Sequence, residues 1–211
     1  NQIDRDALST PPGDVELAPY FPDTPLFRYT QAFYHDRMTL VDSQIGAVIE
    51  QLKEDGVYEN TIIFYFGDHG GVLPRSKGYI YEGGLHVPLV VRFPEKYKHL
   101  FPASQNSKEN GFVSFIDFSP TVLNLAGVKV PASMDGQPFA GKGVTSDGMG
   151  KRDEAFGYAD RFDERYEFAR SLRVGTYKYI RAYEHFYPDS LQNNYRYRML
   201  AFSQWRDLHR Q

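Results

Sequence analysis

The sequence contains no cysteine among its 211 residues. This absence excludes disulfide bonds, thiolate metal sites and a cysteine nucleophile within the chain, but it does not identify a cellular compartment. Long apolar runs are also absent. The run VPLVVRF, from Val87 to Phe93, is among the longest, and it is far shorter than the roughly 20 residues that a membrane helix needs. We therefore expect no membrane span.

Neither sign of charge is in large excess. The chain has 24 basic and 27 acidic side chains and a net charge of -3, which gives no reason to expect a nucleic-acid partner. Tryptophan occurs once, whereas tyrosine and phenylalanine occur 16 times each. Tyrosines can stack on sugars and form hydrogen bonds with them, although most aromatic residues are expected in the core and at its rim. The length predicts one domain, or one domain with a smaller second one.

Apolar residues at helical spacing predict a long helix that ends near Gly56. His35 would lie on this helix, and we interpret it as structural. The apolar residues predicted to form the buried face are Leu40, Val41, Ile45, Val48, Ile49 and Leu52.

Two continuous apolar segments, TIIFYF and VPLVVRF, predict strands covered on both faces, as in the parallel sheet of an α/β domain. The later segment FSPTVLNLAG predicts a short helix. Ser119 would cap it, Pro120 would occupy its first position, and Gly127 would follow its end.

Beyond a Gly- and Pro-rich connection over residues 128–150, the pattern changes to alternation. A hairpin of antiparallel strands is predicted around the turn residues Gly175 and Thr176. One side of its first strand would carry Phe168, Arg170, Leu172 and Val174.

The tail LQNNYRYRMLAFSQWRDLHR predicts one further helix. Its buried side would include Leu191, Tyr195, Met199, Phe202, Trp205 and Leu208. The sequence thus predicts an α/β domain over residues 1–140 and a small C-terminal subdomain over 150–211, in which antiparallel strands accompany a helix.

The segment FYFGDHGG places Asp68 and His69 directly after a predicted strand. In open α/β sheets, ligands bind beyond the carboxyl ends of the strands. Aspartate oxygens suit a hard cation, whereas histidine better suits zinc or another transition metal. Glycines at 67, 70 and 71 would let the backbone turn both side chains toward one ion. The alternative is a polar loop in which His69 caps a turn.

Together with RSKGYIYEGGLHVPLVVRFP at residues 75–94, this segment resembles the sulfatase family. In that family a strand ends in Asp followed by Asn or His, and a lysine follows. A Tyr-Glu-Gly-Gly-like turn, a basic or histidine residue and a Val-Pro-Leu strand ending in Arg-x-Pro come next. SFIDFSPTVLNLAGVKVPASMDGQPF continues the match, and ADRFDERYEFARSLRVGTYKYIRAY resembles the terminal subdomain of sulfatases that act on sulfated sugars. The resemblance extends from about Phe33 to Tyr183.

The resemblance implies an α/β fold with a partial alkaline-phosphatase-like sheet and hydrolysis of sulfate esters on a sulfated carbohydrate or polysaccharide, with bound Ca²⁺. It implies that Asp68 and His69 are metal ligands and that Lys77 contacts the sulfate and the leaving oxygen. A lysine ammonium is a point charge with three donors, which suits a tetrahedral anion. The alternative for Lys77 is a solvated loop residue. Family membership would also imply a periplasmic or secreted protein.

Two further residues are candidates for substrate binding. His86 stands where the family often has arginine, and a structural hydrogen bond is its alternative role. Arg161 lies where related enzymes place polar groups that face the substrate, and a guanidinium suits bidentate binding of sulfate or carboxylate. A surface ion pair with Asp160 or Asp163 is the alternative for Arg161.

The sulfatase nucleophile is a formylglycine made in a Cys/Ser-x-Pro-x-Arg motif, and the chain lacks it. Ser9 to Gly13 gives the nearest approach, but glycine replaces the arginine, so we reject it. The chain opens with Asn1 and shows no signal-peptide pattern. We expect it to be the later portion of a sulfatase whose missing N-terminal portion carries the nucleophile. The alternatives are a phosphodiesterase or phosphonate hydrolase of the same superfamily, and a non-catalytic piece that binds metal or glycan.

Overall fold

The structure is a computed structural model that describes residues 3–162, 164–187 and 193–211. Its helices and strands alternate through the first part of the chain, and a second sheet follows near the end. In chain order the elements are α1 (Pro25–Glu54), β1 (Ile63–Phe66), α2 (Glu82–Leu85), β2 (Leu89–Arg92), α3 (Phe118–Leu125), α4 (Ser146–Gly150), β3 (Glu154–Phe162), β4 (Arg165–Val174), β5 (Tyr177–Ala182) and α5 (Phe202–His209).

Helix α1 begins and ends at residues that favour helix termini. The Thr24 hydroxyl accepts a hydrogen bond from the Phe27 N–H at 3.3 Å, and Pro25 occupies the first helical position. Gly56 follows the C-terminus with a φ of 70°, a left-handed conformation that glycine adopts without a steric penalty. The predicted end of this helix is therefore confirmed.

The predicted buried face of α1 is wrong for the described part of the chain. Val48 is 62% exposed, and the residues that α1 buries lie in its first half. There the helix packs against the 3₁₀ turn Pro12–Asp14, whereas the apolar positions nearer its C-terminus remain exposed or half-buried. Helical periodicity shows which residues share a face, but a neighbouring element is needed to bury that face.

Strands β1 and β2 pair antiparallel, with Ile63 opposite Arg92 and Phe66 opposite Leu89. The expected parallel arrangement is therefore wrong for this pair. A parallel pair needs a crossover that returns the chain to the starting edge. Residues 67–88 instead fold back at the end of β1, where the Gly67 N–H donates to the Pro88 carbonyl at 3.2 Å.

One face of the β1–β2 pair is covered, not both as predicted. Phe64, Leu89 and Val91 pack against a buried cluster that includes Phe139. On the opposite face Val90 is 60% exposed. This pair therefore lies at the boundary of the described core.

Helix α3 begins two residues earlier than predicted, at Phe118 instead of Pro120, and Ser119 does not cap it. A 3₁₀ turn precedes the helix and is capped by Ser114, whose backbone N–H donates to Asp117 at 2.8 Å. Asp117 is only 3% exposed, and it also accepts hydrogen bonds from the Gln137 N–H at 2.8 Å and from Arg152 at 2.5 Å. This carboxylate therefore joins three separate segments of the chain.

The predicted hairpin is confirmed. Strands β4 and β5 pair antiparallel with Val174 opposite Tyr177, and Gly175 in the turn has a φ of 54°. Strand β3, which we did not predict, adds to the other edge of β4 and completes a sheet of order β3-β4-β5.

The two faces of this sheet carry residues of different size. The covered face has small residues such as Ala169 and Ser171, and a Cβ atom added at Gly157 would lie 2.7 Å from Leu85 Cδ1 of α2. Small side chains thus let the sheet approach α2 closely. The opposite face exposes large aromatic residues, namely Phe156, Tyr158, Tyr177 and Tyr179.

The tail forms a shorter helix than predicted. A 3₁₀ turn occupies Arg196–Arg198, and α5 begins only at Phe202. Met199 and Phe202 are buried against Tyr79, as the apolar pattern predicted, whereas Leu191 lies outside the described residues. The proposed division into residues 1–140 and 150–211 stays a prediction. None of the helices in the described ranges combines the length and apolar character that crossing a bilayer requires.

Candidate active site

Asp68 and His69 lie next to each other just beyond β1. His69 Nε2 is 3.4 Å from Asp68 Oδ1. Two ligands that bind one cation at right angles, each about 2.3 Å away, are about 3.3 Å apart. The observed separation therefore fits two neighbouring positions around one ion.

The hydrogen bonding of His69 selects the nitrogen that could bind a metal. His69 Nδ1 lies 2.7 Å from the Gly70 carbonyl oxygen, which can only accept, so Nδ1 carries the proton. In the neutral ring Nε2 then presents a lone pair to the Asp68 carboxylate. The lone pair on Nε2 and the negatively charged Asp68 oxygen repel each other, and a proton or a metal ion between these two atoms removes that repulsion. Metal-binding histidines commonly donate their other ring N–H to a carbonyl oxygen in this way.

Asp68 and His69 by themselves would not complete a metal site, and their role as metal ligands stays a prediction. Within residues 3–162, 164–187 and 193–211 there is no group of three or more His, Cys, Asp or Glu side chains that could hold a metal. The Asp68 side chain is 84% exposed and that of His69 is 36% exposed, so further ligands have room to approach.

The glycines beside this pair have a different role from the one expected. Neither Gly70 nor Gly71 adopts a positive φ. Gly70 instead lies against the next turn: its N–H donates to the Gly84 carbonyl at 3.1 Å, and an added Cβ would lie 1.7 Å from the Gly83 carbonyl oxygen. Only glycine allows such a close approach of two backbones.

Helix α1 supports the same loop through Tyr34. A Cβ atom at Gly71 would lie 2.8 Å from the Tyr34 ring. Burial, with a further contribution from Tyr65, raises the pKa of the Tyr34 hydroxyl. The ring is thus partly removed from water where it covers the loop.

Lys77 lines an open pocket of about 440 Å³. The other described residues that line it are Phe162, Tyr195 and Arg198. Lys77 Nζ lies 5.2 Å from the centre of the Tyr195 ring, and the Lys77 N–H donates to the Gly71 carbonyl at 3.0 Å. Lys77 is therefore half-buried beside an aromatic wall, which differs from a solvated loop lysine.

The C-terminal residues of this pocket were missed by sequence reasoning. Tyr195 and Arg198 were treated only as parts of a tail helix, although YRYR concentrates aromatic and basic residues in one short segment. Arg196 between them is fully buried, and it donates to the Gly78 carbonyl at 2.7 Å. This bond joins the tail to the residue that follows Lys77.

His86 is 73% exposed at the end of α2, and its Nδ1 lies 3.8 Å from Glu82 Oε2. Glu82 also binds Lys178 at 2.8 Å and forms an ion pair with Arg173. Burial alone would raise the pKa of Glu82, but the bonds to Lys178 and Arg173 outweigh it and lower that pKa. The contact with Glu82 is consistent with the structural alternative for His86, and its role in substrate binding stays a prediction.

Arg161 lies near the end of β3, one residue before Phe162 of the pocket. Its suggested partner Asp160 accepts a hydrogen bond from Arg170 at 2.6 Å. The other suggested partner, Asp163, lies outside the described residues. A substrate-binding role for Arg161 therefore stays a prediction.

The rejected nucleophile segment has a structural role. The Ser9 and Thr10 N–H groups donate to the Asp36 carboxylate at 2.7 and 3.0 Å, and the Thr10 hydroxyl donates at 2.7 Å. The Thr10 hydroxyl and these N–H groups lower the pKa of Asp36 against the opposing effect of burial. The segment is thereby fixed on α1.

The chain is similar in sequence to curated sulfatases from several organisms. The ulvan-active sulfatase of Formosa agariphila is 39% identical over 79% of this chain, and the match covers 26% of that protein. N-sulphoglucosamine sulphohydrolase of Homo sapiens is 31% identical over 57% of this chain and 23% of its own length. The chain therefore spans about a quarter of the length of these curated relatives.

A protein solved in complex with its substrate D-glucosamine-2-N,6-O-disulfate shares the fold. The TM-score is 0.60 at 22% identity, and the match covers 82% of this chain and 35% of that one. The predicted α/β class with an alkaline-phosphatase-like sheet is confirmed, together with the C-terminal antiparallel sheet. A family model described as Sulfatase matches residues 19–128, more than half of the chain, and the chain belongs to the sulfatase family.

Proposed function

We propose that the full-length protein hydrolyses sulfate esters on a sulfated carbohydrate or polysaccharide. The observation that carries this proposal is the geometry of one loop. It presents the Asp68–His69 pair at 3.4 Å and holds Lys77 in an aromatic-walled pocket. Relatives named for ulvan and sulphoglucosamine support a sulfated sugar as the substrate class.

Membership of the sulfatase family implies a formylglycine nucleophile and a metal. The 211 residues contain no cysteine and no Ser-x-Pro-x-Arg sequence, so we assign the nucleophile to a part of the protein outside this chain. For the metal we propose Ca²⁺, because Asp68 offers the hard oxygen ligands that Ca²⁺ prefers. Metal analysis of the purified protein would distinguish Ca²⁺ from zinc, to which His69 is better suited.

Each candidate residue has a defined task in this proposal. Asp68 and His69 hold the cation, which when bound neutralises charge on the sulfate oxygens. The Lys77 ammonium donates hydrogen bonds to the sulfate and to the leaving oxygen as negative charge grows there. The pocket walls exclude water on one side of the lysine, which strengthens these interactions.

Lys77→Ala tests this role in the full-length protein. We expect turnover of a sulfated substrate to fall by about 100-fold or more, comparable to the loss of one preorganised charge-stabilising group. Folding should change little, because a half-buried loop lysine contributes little packing. Lys129→Ala is the matched control, since Lys129 is exposed and lies outside the pocket. Near-normal turnover by the Lys77 variant would remove this residue from the site.

A substrate panel separates the competing functions. Sulfate release from sulfated oligosaccharides or an aryl sulfate would support the proposal. Hydrolysis of phosphodiesters in preference to sulfate esters would favour the related phosphodiesterase or phosphonate hydrolase activity. Binding without turnover of any ester would favour a non-catalytic role in metal or glycan binding. We also propose a periplasmic or secreted location from family membership, which cell fractionation tests.

A further inference from the structure

The described residues that line the pocket beside Lys77 carry positive charge, although the chain as a whole is slightly negative. Its described lining residues include two cations, Lys77 and Arg198, and no acidic residue. Arg198 is exposed, and it has no ion pair among the described residues. Three other arginines in the C-terminal part of the chain differ in this respect: Arg170, Arg173 and Arg196 are paired with Asp160, Glu82 and Glu167.

The turn that carries Arg198 directs two side chains to the same side. The Arg198 N–H donates to the Tyr195 carbonyl at 3.2 Å, in the i to i+3 pattern of a 3₁₀ turn. Side chains three residues apart in such a turn lie above one another. Because Tyr195 lies under the Lys77 ammonium, Arg198 borders the same space.

Buried polar bonds fix this turn against the rest of the pocket. Arg196 is fully buried, lies 2.5 Å from Glu167 and donates to the Gly78 carbonyl. Asn193 is also fully buried, and its side chain donates to the Phe162 carbonyl at 2.7 Å. The turn is thereby tied both to the Lys77 loop and to the end of β3. Such preorganisation reduces the ordering cost of binding.

We propose that this pocket binds a sugar with two acidic groups: the sulfate that is removed, at Lys77, and a second anion, at Arg198. This inference rests on the proposed function. A guanidinium forms two parallel hydrogen bonds with a planar carboxylate or with a sulfate, whereas a lysine acts as a point charge. The rings of Tyr195 and Phe162 supply the apolar wall against which a sugar packs. A uronate carboxylate and a second sulfate share the chemistry that Arg198 recognises.

Arg198→Gln in the full-length protein tests the second anion. Three substrates are compared: one sugar with a single sulfate, the same sugar with an added carboxylate, and the same sugar with a second sulfate. For the substrate whose added acidic group binds Arg198, we expect KM to rise about 10-fold or more, with kcat nearly unchanged. KM for the single sulfate should change by less than about twofold. The substrate that loses affinity identifies the second anion.

Two further variants sharpen the result. Arg198→Lys keeps the positive charge but loses the two parallel donors of the guanidinium. We therefore expect it to retain only part of the affinity for the doubly acidic substrate that Arg198→Gln loses. Arg210→Gln removes the same charge outside the pocket and should leave every KM unchanged. Equal KM changes for all three substrates, or the same effect from Arg210→Gln, would overturn this inference while leaving the proposed function intact. No hydrolysis of any sulfate ester by the unaltered protein would instead contradict both.

Discussion

At the scale of single residues, the orientation of the His69 ring is the most informative feature. Its Nδ1–H is committed to the Gly70 carbonyl, and its Nε2 faces Asp68 Oδ1. A ring fixed through one nitrogen loses little rotational freedom when the other binds an ion. This local geometry depends on Gly70, because any larger residue there would collide with the Gly83 carbonyl.

We expect His69→Ala to lower the affinity of the full-length protein for its divalent ion by at least about 10-fold, because a ligand and its fixed geometry are both removed. Metal content after dialysis and calorimetric titration with Ca²⁺ measure the change. His99→Ala is the control, since His99 is exposed and far along the chain from the loop. Unchanged metal affinity in the His69 variant would show that this histidine is not a ligand.

At the scale of elements, Glu82 connects α2 with the C-terminal sheet. Its carboxylate binds Lys178 of β5 and Arg173 of β4, and these cations keep only 15% and 25% of their side-chain surface exposed. The turn after Lys77 is thereby attached to a sheet almost one hundred residues later in the chain. This connection explains how the β3–β4–β5 sheet can lie beside the loop between β1 and β2.

Glu82→Gln should reduce the free energy of unfolding in a pH-dependent way. Burial would raise the pKa of Glu82, but Lys178 and Arg173 lower it below 4.5 in the folded protein. The stabilisation that Glu82 contributes to the folded state is therefore fully present above pH 4.5, and it is lost as the pH falls through the lowered pKa of the folded protein. Because Glu82 is 43% exposed, we expect the substitution to lower the free energy of unfolding by less than about 1 kcal/mol.

Denaturant unfolding of both forms across this pH range measures the difference. Glu95→Gln is the control, because Glu95 is 70% exposed and forms its ion pair with nearby Lys98. A difference between wild type and Glu82→Gln that stays constant well below pH 4.5 would contradict the assigned ion pairs.

At the scale of the whole molecule, several apolar surfaces have no cover within the described residues. Val48 on α1 is 62% exposed and Val90 on β2 is 60% exposed. The chain also spans about a quarter of its curated relatives. Both observations are consistent with further protein packing against α1 and the β1–β2 pair.

We expect residues 1–211 produced alone to associate or to fold loosely, because exposed apolar surfaces and open strand edges promote association. They should not turn over an aryl sulfate or a sulfated oligosaccharide with Ca²⁺, since they lack the nucleophile motif. Light scattering, cooperative unfolding and sulfate release are the measurements. Co-expression with the remainder of the protein is the control and should restore solubility and activity. A soluble, cooperatively folded chain with multiple turnovers by itself would contradict the assignment of the nucleophile elsewhere.

Features encoded by neighbouring residues were predictable. The end of α1 at Gly56 and the β4–β5 turn at Gly175 follow from local backbone preferences. The order of the motifs from Asp68 to Arg92 was sufficient to indicate the sulfatase family, which the family match confirms. In contrast, strand direction in the β1–β2 pair was not encoded in the apolar run itself, because parallel and antiparallel strands can share a composition.

The sequence alone thus indicated the helix α1, the strands β1, β2, β4 and β5, the family motifs and the candidates Asp68, His69 and Lys77. Only the tertiary structure decided which distant segments line the pocket around Lys77. Arg198 lines the Lys77 pocket because a buried guanidinium at Arg196 binds the backbone of residue 78, more than one hundred positions earlier. Contacts at such separation depend on how whole elements pack, and no spacing or periodicity within one segment records them.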